Sequence, residues 1–134
     1  MKNVFTPLLF LGLLMAGCTT DDLDDMDIEA IQNIPVTTNV ANAFTYVVKA
    51  DGFSQQINSS LNFDSTAFVL SLVVADYSSG ELSMAIYNED SSQVYRQQIT
   101  SNMVFTDFPE FQPTALEMDV DGFSGSLTLT VAVE

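Results

Sequence analysis

The chain has 134 residues, 18 acidic against three basic, with one cysteine and neither histidine nor tryptophan. Without histidine, a Ser-His-Asp triad, a Cys-His pair and an imidazole metal site cannot form within it. Without clustered Lys and Arg to neutralise phosphates, nucleic acid is excluded as a partner, and a net charge of −15 repels other anionic partners.

The first eighteen residues organise the rest. Lys2 supplies a positive start, Val4 to Met15 is an apolar run broken only by Thr6, Pro7 and Gly12, and the small residues Ala16 and Gly17 precede Cys18. The run is shorter than the ~20 apolar residues a spanning helix needs, and reads as a secretory signal. Leu14-Met15-Ala16-Gly17-Cys18 resembles the lipobox of bacterial lipoproteins, with Met15 where the consensus prefers Leu. That resemblance implies cleavage between Gly17 and Cys18, a diacylglycerol on the Cys18 thiol and a further fatty acyl chain on the new N-terminus. The membrane is then a partner through Cys18. A lone cysteine also has no intrachain disulfide partner.

Residues 1–17 are thus expected to be removed, leaving 117 residues, enough for one domain and one core. All 18 acids stay, against Lys49 and Arg96 alone, which gives the mature chain a side-chain charge of −16. Residues 18–43 read as an acidic tether, with six acids in nine residues from Asp21 to Glu29. In lipoproteins an Asp directly after the cysteine retains the protein at the inner membrane. Thr19 stands there instead, so the resemblance implies the outer membrane, and Asp21-Asp22-Leu23-Asp24-Asp25 resembles a surface-export signal. The plainer reading is a self-repelling spacer. Leu23, Met26, Ala30, Ile31 and Ile34 recur at helical spacing before Pro35, so the tether is either a short helix or disordered.

From Phe44 the apolar period drops to two, and residues 44–134 read as an all-β domain. Phe44, Tyr46, Val48 and Ala50 alternate up to Asp51-Gly52. Phe53, Gln55 and Ile57 follow, with Leu61 and Phe63 after an Asn-Ser-Ser interruption, then Thr66 to Ala75 as a central strand, a turn at Asp76–Gly80, and a strand through Leu82, Met84 and Ile86. After a turn at Asn88–Ser92 comes Val94 to Ile99. Near the end, Leu116, Met118 and Val120 point inward, Asp121-Gly122 has the strongest short hairpin signal, and Phe123, Gly125, Leu127, Leu129, Val131 and Val133 point inward again. Seven or eight short strands with such turns predict a single antiparallel β-sandwich, loosely similar to jelly-roll-like accessory domains of secreted bacterial proteins. The tetrapeptide Asp-Gly-Phe-Ser occurs at 51–54 and 121–124, and reuse of one good turn explains it better than duplication.

Three features could carry function. Glu117, Asp119 and Asp121 could bind calcium, which takes six to eight oxygens, or could simply form a solvated strand face. Phe105, Phe108 and Phe111, between prolines and unlike a strand, could form a ligand surface or plug the core at a crossover between sheets. Tyr77 and Tyr87, with acids nearby, suit carbohydrate binding or are ordinary turn residues. Glycoside hydrolysis needs two carboxylates across a cleft, for which turns this short leave little room. The chain is expected to be a non-enzymatic, membrane-anchored binding or envelope-support module, whose partner is another envelope protein or a glycan. The alternative is a carbohydrate- or calcium-binding capture module.

Overall fold

A computed structural model describes residues 32–134. The signal segment, Cys18, the acidic cluster and the tether-helix positions Leu23 to Ile31 lie outside the described residues, whereas Ile34, the last of that spacing, stands exposed in a non-helical stretch before β1. The described chain is all-β and antiparallel, with β1 (Val36–Val40), β2 (Ala43–Ser60), β3 (Phe68–Tyr87), β4 (Gln93–Ile99), β5 (Met103–Asp107) and β6 (Ala115–Val133). They form one sheet in the order β1-β2-β6-β3-β4, with β5 also paired to β3.

Three strands of 18 to 20 residues, β2, β6 and β3, run side by side and bend together. Their pairing is regular up to Ala50, Ala75 and Ser126, irregular through the next residues, and regular again from Gln55, Glu81 and Asp121. The bend divides the sheet into two layers. The first contains β1, the early halves of β2 and β3, the late half of β6, and β5. The second contains the late halves of β2 and β3, the early half of β6, and β4.

On either side of the bend, burial alternates along β3 and β6, which run through both layers. Phe44, Leu70, Leu72, Leu127, Leu129 and Val131 of the first layer are fully buried, as are Leu82, Ile86 and Leu116 of the second. With no helix among the described residues, only the opposite layer can cover each set, and all of them join one core. Tyr46 of the first layer donates its hydroxyl to Gln55 Oε1 of the second at 3.0 Å. The sheet is therefore a sandwich made by folding once, and no polar or charged side chain is buried among the described residues.

The inward residues of residues 116–131 stand as the alternation predicts, but three predicted turns are not turns. Asp51-Gly52, Asp76–Gly80 and Asp121-Gly122 all lie inside continuous strands, side by side at the bend. Val120 pairs with Gln55 and Leu82, not with Phe123 across a hairpin, and Phe123 pairs with Phe53. Hence the described residues hold six strands rather than seven or eight, and the likeness to jelly rolls goes no further than an antiparallel sandwich. Gly52, Gly80 and Gly122 have φ of 62°, 91° and 58°, the positive values a corner needs as much as a hairpin does.

The Asp-Gly-Phe-Ser repeat has a structural reason that neither duplication nor hairpin reuse supplies. Its two copies lie opposite each other in antiparallel strands. Gly52 N–H donates to Ser124 Oγ and Gly122 N–H to Ser54 Oγ, both at 2.8 Å, while the paired Phe53 and Phe123 sit between them. Each serine satisfies the amide freed by the other strand's corner.

The sheet also begins earlier than the sequence suggests. β1, within the expected tether, pairs with β2 from Val36↔Val47 to Val40↔Ala43 through a two-residue turn closed by Asn42 at φ 62°. All five of its residues are exposed, so it lacks the inward alternation that marks the other strands.

Candidate functional site

The outer faces of the two layers differ in chemistry. On the second layer, outward residues of four strands converge. β2 presents Gln56 and Asn58, β6 Glu117 and Asp119, β3 Ser83, Ala85 and Tyr87, and β4 Gln93, Arg96 and Gln98. The rows follow the register: Asn58, Glu117, Ala85 and Arg96 lie across the strands in one line, and Gln56, Asp119, Ser83 and Gln98 in the next. All of these but Gln98 line a depression of about 300 Å³ that extends from Gln56 and Asn58 to Gln93 and Arg96. Alternation creates this face: Leu82, Met84, Ile86, Leu116, Met118 and Val120 go to the core, so their neighbours must point out.

Within the depression Tyr87 donates its hydroxyl to Glu117 Oε2 at 2.6 Å. That bond to a carboxylate raises the Tyr87 phenol above its ordinary value of 10, with desolvation adding to it, and keeps the hydroxyl protonated. The pair fixes one ring and one carboxylate beside Arg96. A smaller depression of about 210 Å³ continues past Arg96 and Gln98 to Glu81, Asp119 and Asp121. The face offers amide, carboxylate, guanidinium and hydroxyl groups together, so it can donate and accept hydrogen bonds along its whole length.

The candidate residues read from sequence are distributed unequally over this geometry. Tyr87, Glu117 and Asp119 line the larger depression, and Asp121 the smaller. Tyr77 does not belong with Tyr87. It stands at the bend, where its hydroxyl donates to the Gly80 carbonyl at 2.7 Å and its ring packs against Phe123, so it is a structural residue of the corner. Glu117, Asp119 and Asp121 alternate along one strand, and among the described residues no three acidic side chains converge as a metal cage.

The three phenylalanines also separate. Phe105 lies within β5, in a segment expected not to be a strand, where it pairs with Leu72 and packs against the core beside Tyr95. Phe111 meets Phe68 edge-on at 5.2 Å, in the crossover that carries the chain from β5 in the first layer to β6 in the second. Phe108 alone is exposed. Phe105 and Phe111 thus both pack against the core, Phe105 from a strand and Phe111 from the crossover.

Gln56, Asn58, Ser83, Gln93, Arg96 and Gln98 were not singled out from the sequence. Each is an ordinary polar residue at an outward position, and only the pairing of β2, β6, β3 and β4 brings them together. Arg96, one of two bases left after the signal, was the one available signal.

No family model matches the chain, and no curated protein matches it. Among solved structures it is similar to a chain from work described as "Bacillus endospore appendages form a novel family of disulfide-linked pili". The two are 14% identical, with 77% of this chain and 92% of that one covered at a TM-score of 0.42, a likeness too loose to bear on function.

Proposed function

We propose that this chain is a non-enzymatic lipoprotein, anchored through Cys18 in the outer membrane or at the cell surface, that captures a neutral glycan on the outer face of its second layer. The observation that carries the reading is the four-strand depression around Tyr87, Arg96 and Glu117. Planar amide, carboxylate and guanidinium groups form paired hydrogen bonds to neighbouring hydroxyls, as a sugar ring presents them, and the Tyr87 ring adds an apolar surface. Glu81, Glu117, Asp119 and Asp121 outnumber Arg96 on this face, which disfavours phosphorylated, sulfated or uronic ligands. An apolar ligand would find little to displace water from. The 14 residues from Cys18 to Ile31 allow the domain to stand at most about 50 Å from its anchor.

Affinity electrophoresis of residues 19–134 in gels containing a neutral glucan, a neutral mannan or an acidic alginate tests the ligand. Retardation by a neutral polymer, reduced at least about tenfold in Tyr87→Ala and Arg96→Ala, is expected. Retardation by alginate alone, or by none of the three, would remove the glycan reading. The anchor is tested separately: Cys18→Ser in the full chain should lose incorporation of a fatty-acid label and leave the membrane fraction.

A further inference from the structure

The outer face of the first layer is the reverse of the second. Its central row runs across all five strands in register, Val36, Val47, Thr128, Val73 and Val104. Val36 is 63% exposed, Val47 39% and Val104 80%. The next row is Thr38, Thr45, Thr130, Ser71 and Thr106, and Val40, Ala43, Ala132 and Val69 follow. Of the seven large apolar side chains exposed among the described residues, Val36, Val40, Val47 and Val104 belong to the first layer, Val94 to the second, and Ile34 and Phe108 to neither. None of the twelve acidic side chains in residues 32–134 occupies an outward position in the first-layer segments of these strands; Asp107, exposed at the end of β5, stands at an inward position opposite Leu70, and Lys49, at the corner end, is the sole outward charge.

We propose that this face is a homodimer interface, in which two copies stack their first layers face to face about a two-fold axis. The inference is independent of the ligand face on the other layer. A face left to solvent in so acidic a chain would be expected to carry acids, as the second layer does. Removal of charge from one patch, with branched apolar and hydroxyl side chains in its place, is the composition of an interface centre. Sheets stack at ~10 Å with branched side chains interleaved, and a patch without charge to match is complementary to itself. A second copy carrying −16 finds no other face free of like-charge repulsion. A lipid surface is a poorer occupant, because the face holds one base and none of the Trp or Tyr residues that settle at membrane interfaces. Five strands ~4.8 Å apart and rows ~6.8 Å apart give roughly 500 Å² per copy, so about 1,000 Å² in all. That reaches the lower bound for a specific interface and implies a dissociation constant on the order of micromolar or weaker.

Sedimentation equilibrium of residues 19–134, which contain every described strand, tests this across roughly 1–500 µM protein. A monomer–dimer equilibrium is expected, tightening several-fold as sodium chloride rises from about 0.05 to about 0.5 M and screens the repulsion. Val47→Asp and Val104→Asp each place a carboxylate in the interface of both copies and should weaken the dimer at least about 30-fold. Val94→Asp, the same change on an exposed strand of the other layer, should leave it within about twofold. Circular dichroism of each variant separates loss of the dimer from loss of the fold, and Val104 is exposed enough that its substitution leaves the core intact. A chain that stays monomeric at the highest concentration and salt would overturn the proposal. So would a dimer indifferent to Val47→Asp and Val104→Asp, or one broken by Val94→Asp.

Discussion

Tyr46 is the bulkiest fully buried side chain, lying between the layers with its hydroxyl held by Gln55. Burial pushes its phenol up to about 12, because the phenolate would have to sit in the core without water. In the unfolded chain the same group ionises near 10. The folded state therefore binds the proton more tightly, and this contribution to stability is complete below pH 10 and lost as pH rises from 10 to about 12. Tyr95 is also pushed up to about 12, by burial first and by the nearby Asp107 second, and acts in the same window. Urea midpoints measured from neutral pH upward should be flat to about pH 9.5 and then fall steeply. Tyr46→Phe should make that fall shallower without abolishing it, since Tyr95 remains, and should cost about 0.5–1.5 kcal/mol at neutral pH for the bond to Gln55. An alkaline fall as steep in Tyr46→Phe as in the parent would mean that other groups drive it.

At the scale of the elements, the bend is where the chain is least tolerant. Gly80 has a φ of 91°, and a Cβ built on it would run into the backbone of Gly122 and Phe123. Gly122 has a φ of 58° but open space around its missing Cβ. Gly122→Val should thus cost only backbone strain, roughly 1–3 kcal/mol. Gly80→Ala, a smaller substitution, should cost at least as much, because about 1–3 kcal/mol of overpacking against backbone adds to the strain. Urea denaturation of the two variants checks the order; Gly80→Ala proving clearly the milder would show that β3 and β6 can separate at the corner. The same place explains what could and could not be read in advance. A two-residue hairpin turn and a one-residue bulge both need positive φ and both shift the inward phase from even to odd numbers. Residues 116–133 therefore look alike locally under either arrangement. The inward set, from Leu116 to Val131, was legible because it depends on alternation alone. The path of the chain depends on which strands lie beside Val120, and that is set by pairing with residues about 40 and 65 positions away. β1 was missed because an exposed edge strand has no buried face to mark it. The binding face was half legible: Tyr87, Glu117 and Asp119 stand out by chemistry, whereas Gln56, Asn58 and Gln98 acquire meaning only from register.

Over the whole molecule, charge is segregated. Among the described residues, carboxylates lie on the second layer, at the bend, in the loops and at the end of β5 (Asp107), while the outward rows of the first layer carry none. Twelve acids on a domain with two bases repel one another in the compact state more than in the extended one. Added salt should relieve this, since the Debye length falls from ~30 Å at 0.01 M to ~10 Å at 0.1 M. The thermal midpoint of residues 19–134 should accordingly rise with sodium chloride, measured well below the dimer's concentration range so that association does not contribute. Calcium distinguishes screening from binding. Side chains at alternate positions of one strand stand ~6.8 Å apart, whereas a calcium ion gathers six to eight oxygens at ~2.3–2.6 Å. Glu117, Asp119 and Asp121 can attract the ion as a diffuse field but cannot enclose it without bending β6, whose pairing with β2 and β3 is unbroken from Ala115 to Val120. Calcium chloride should thus stabilise the domain no more than sodium chloride of equal ionic strength. A saturable rise at low calcium, absent with sodium and removed by Asp119→Asn, would mean that these carboxylates do close on the ion and that the strand yields to let them.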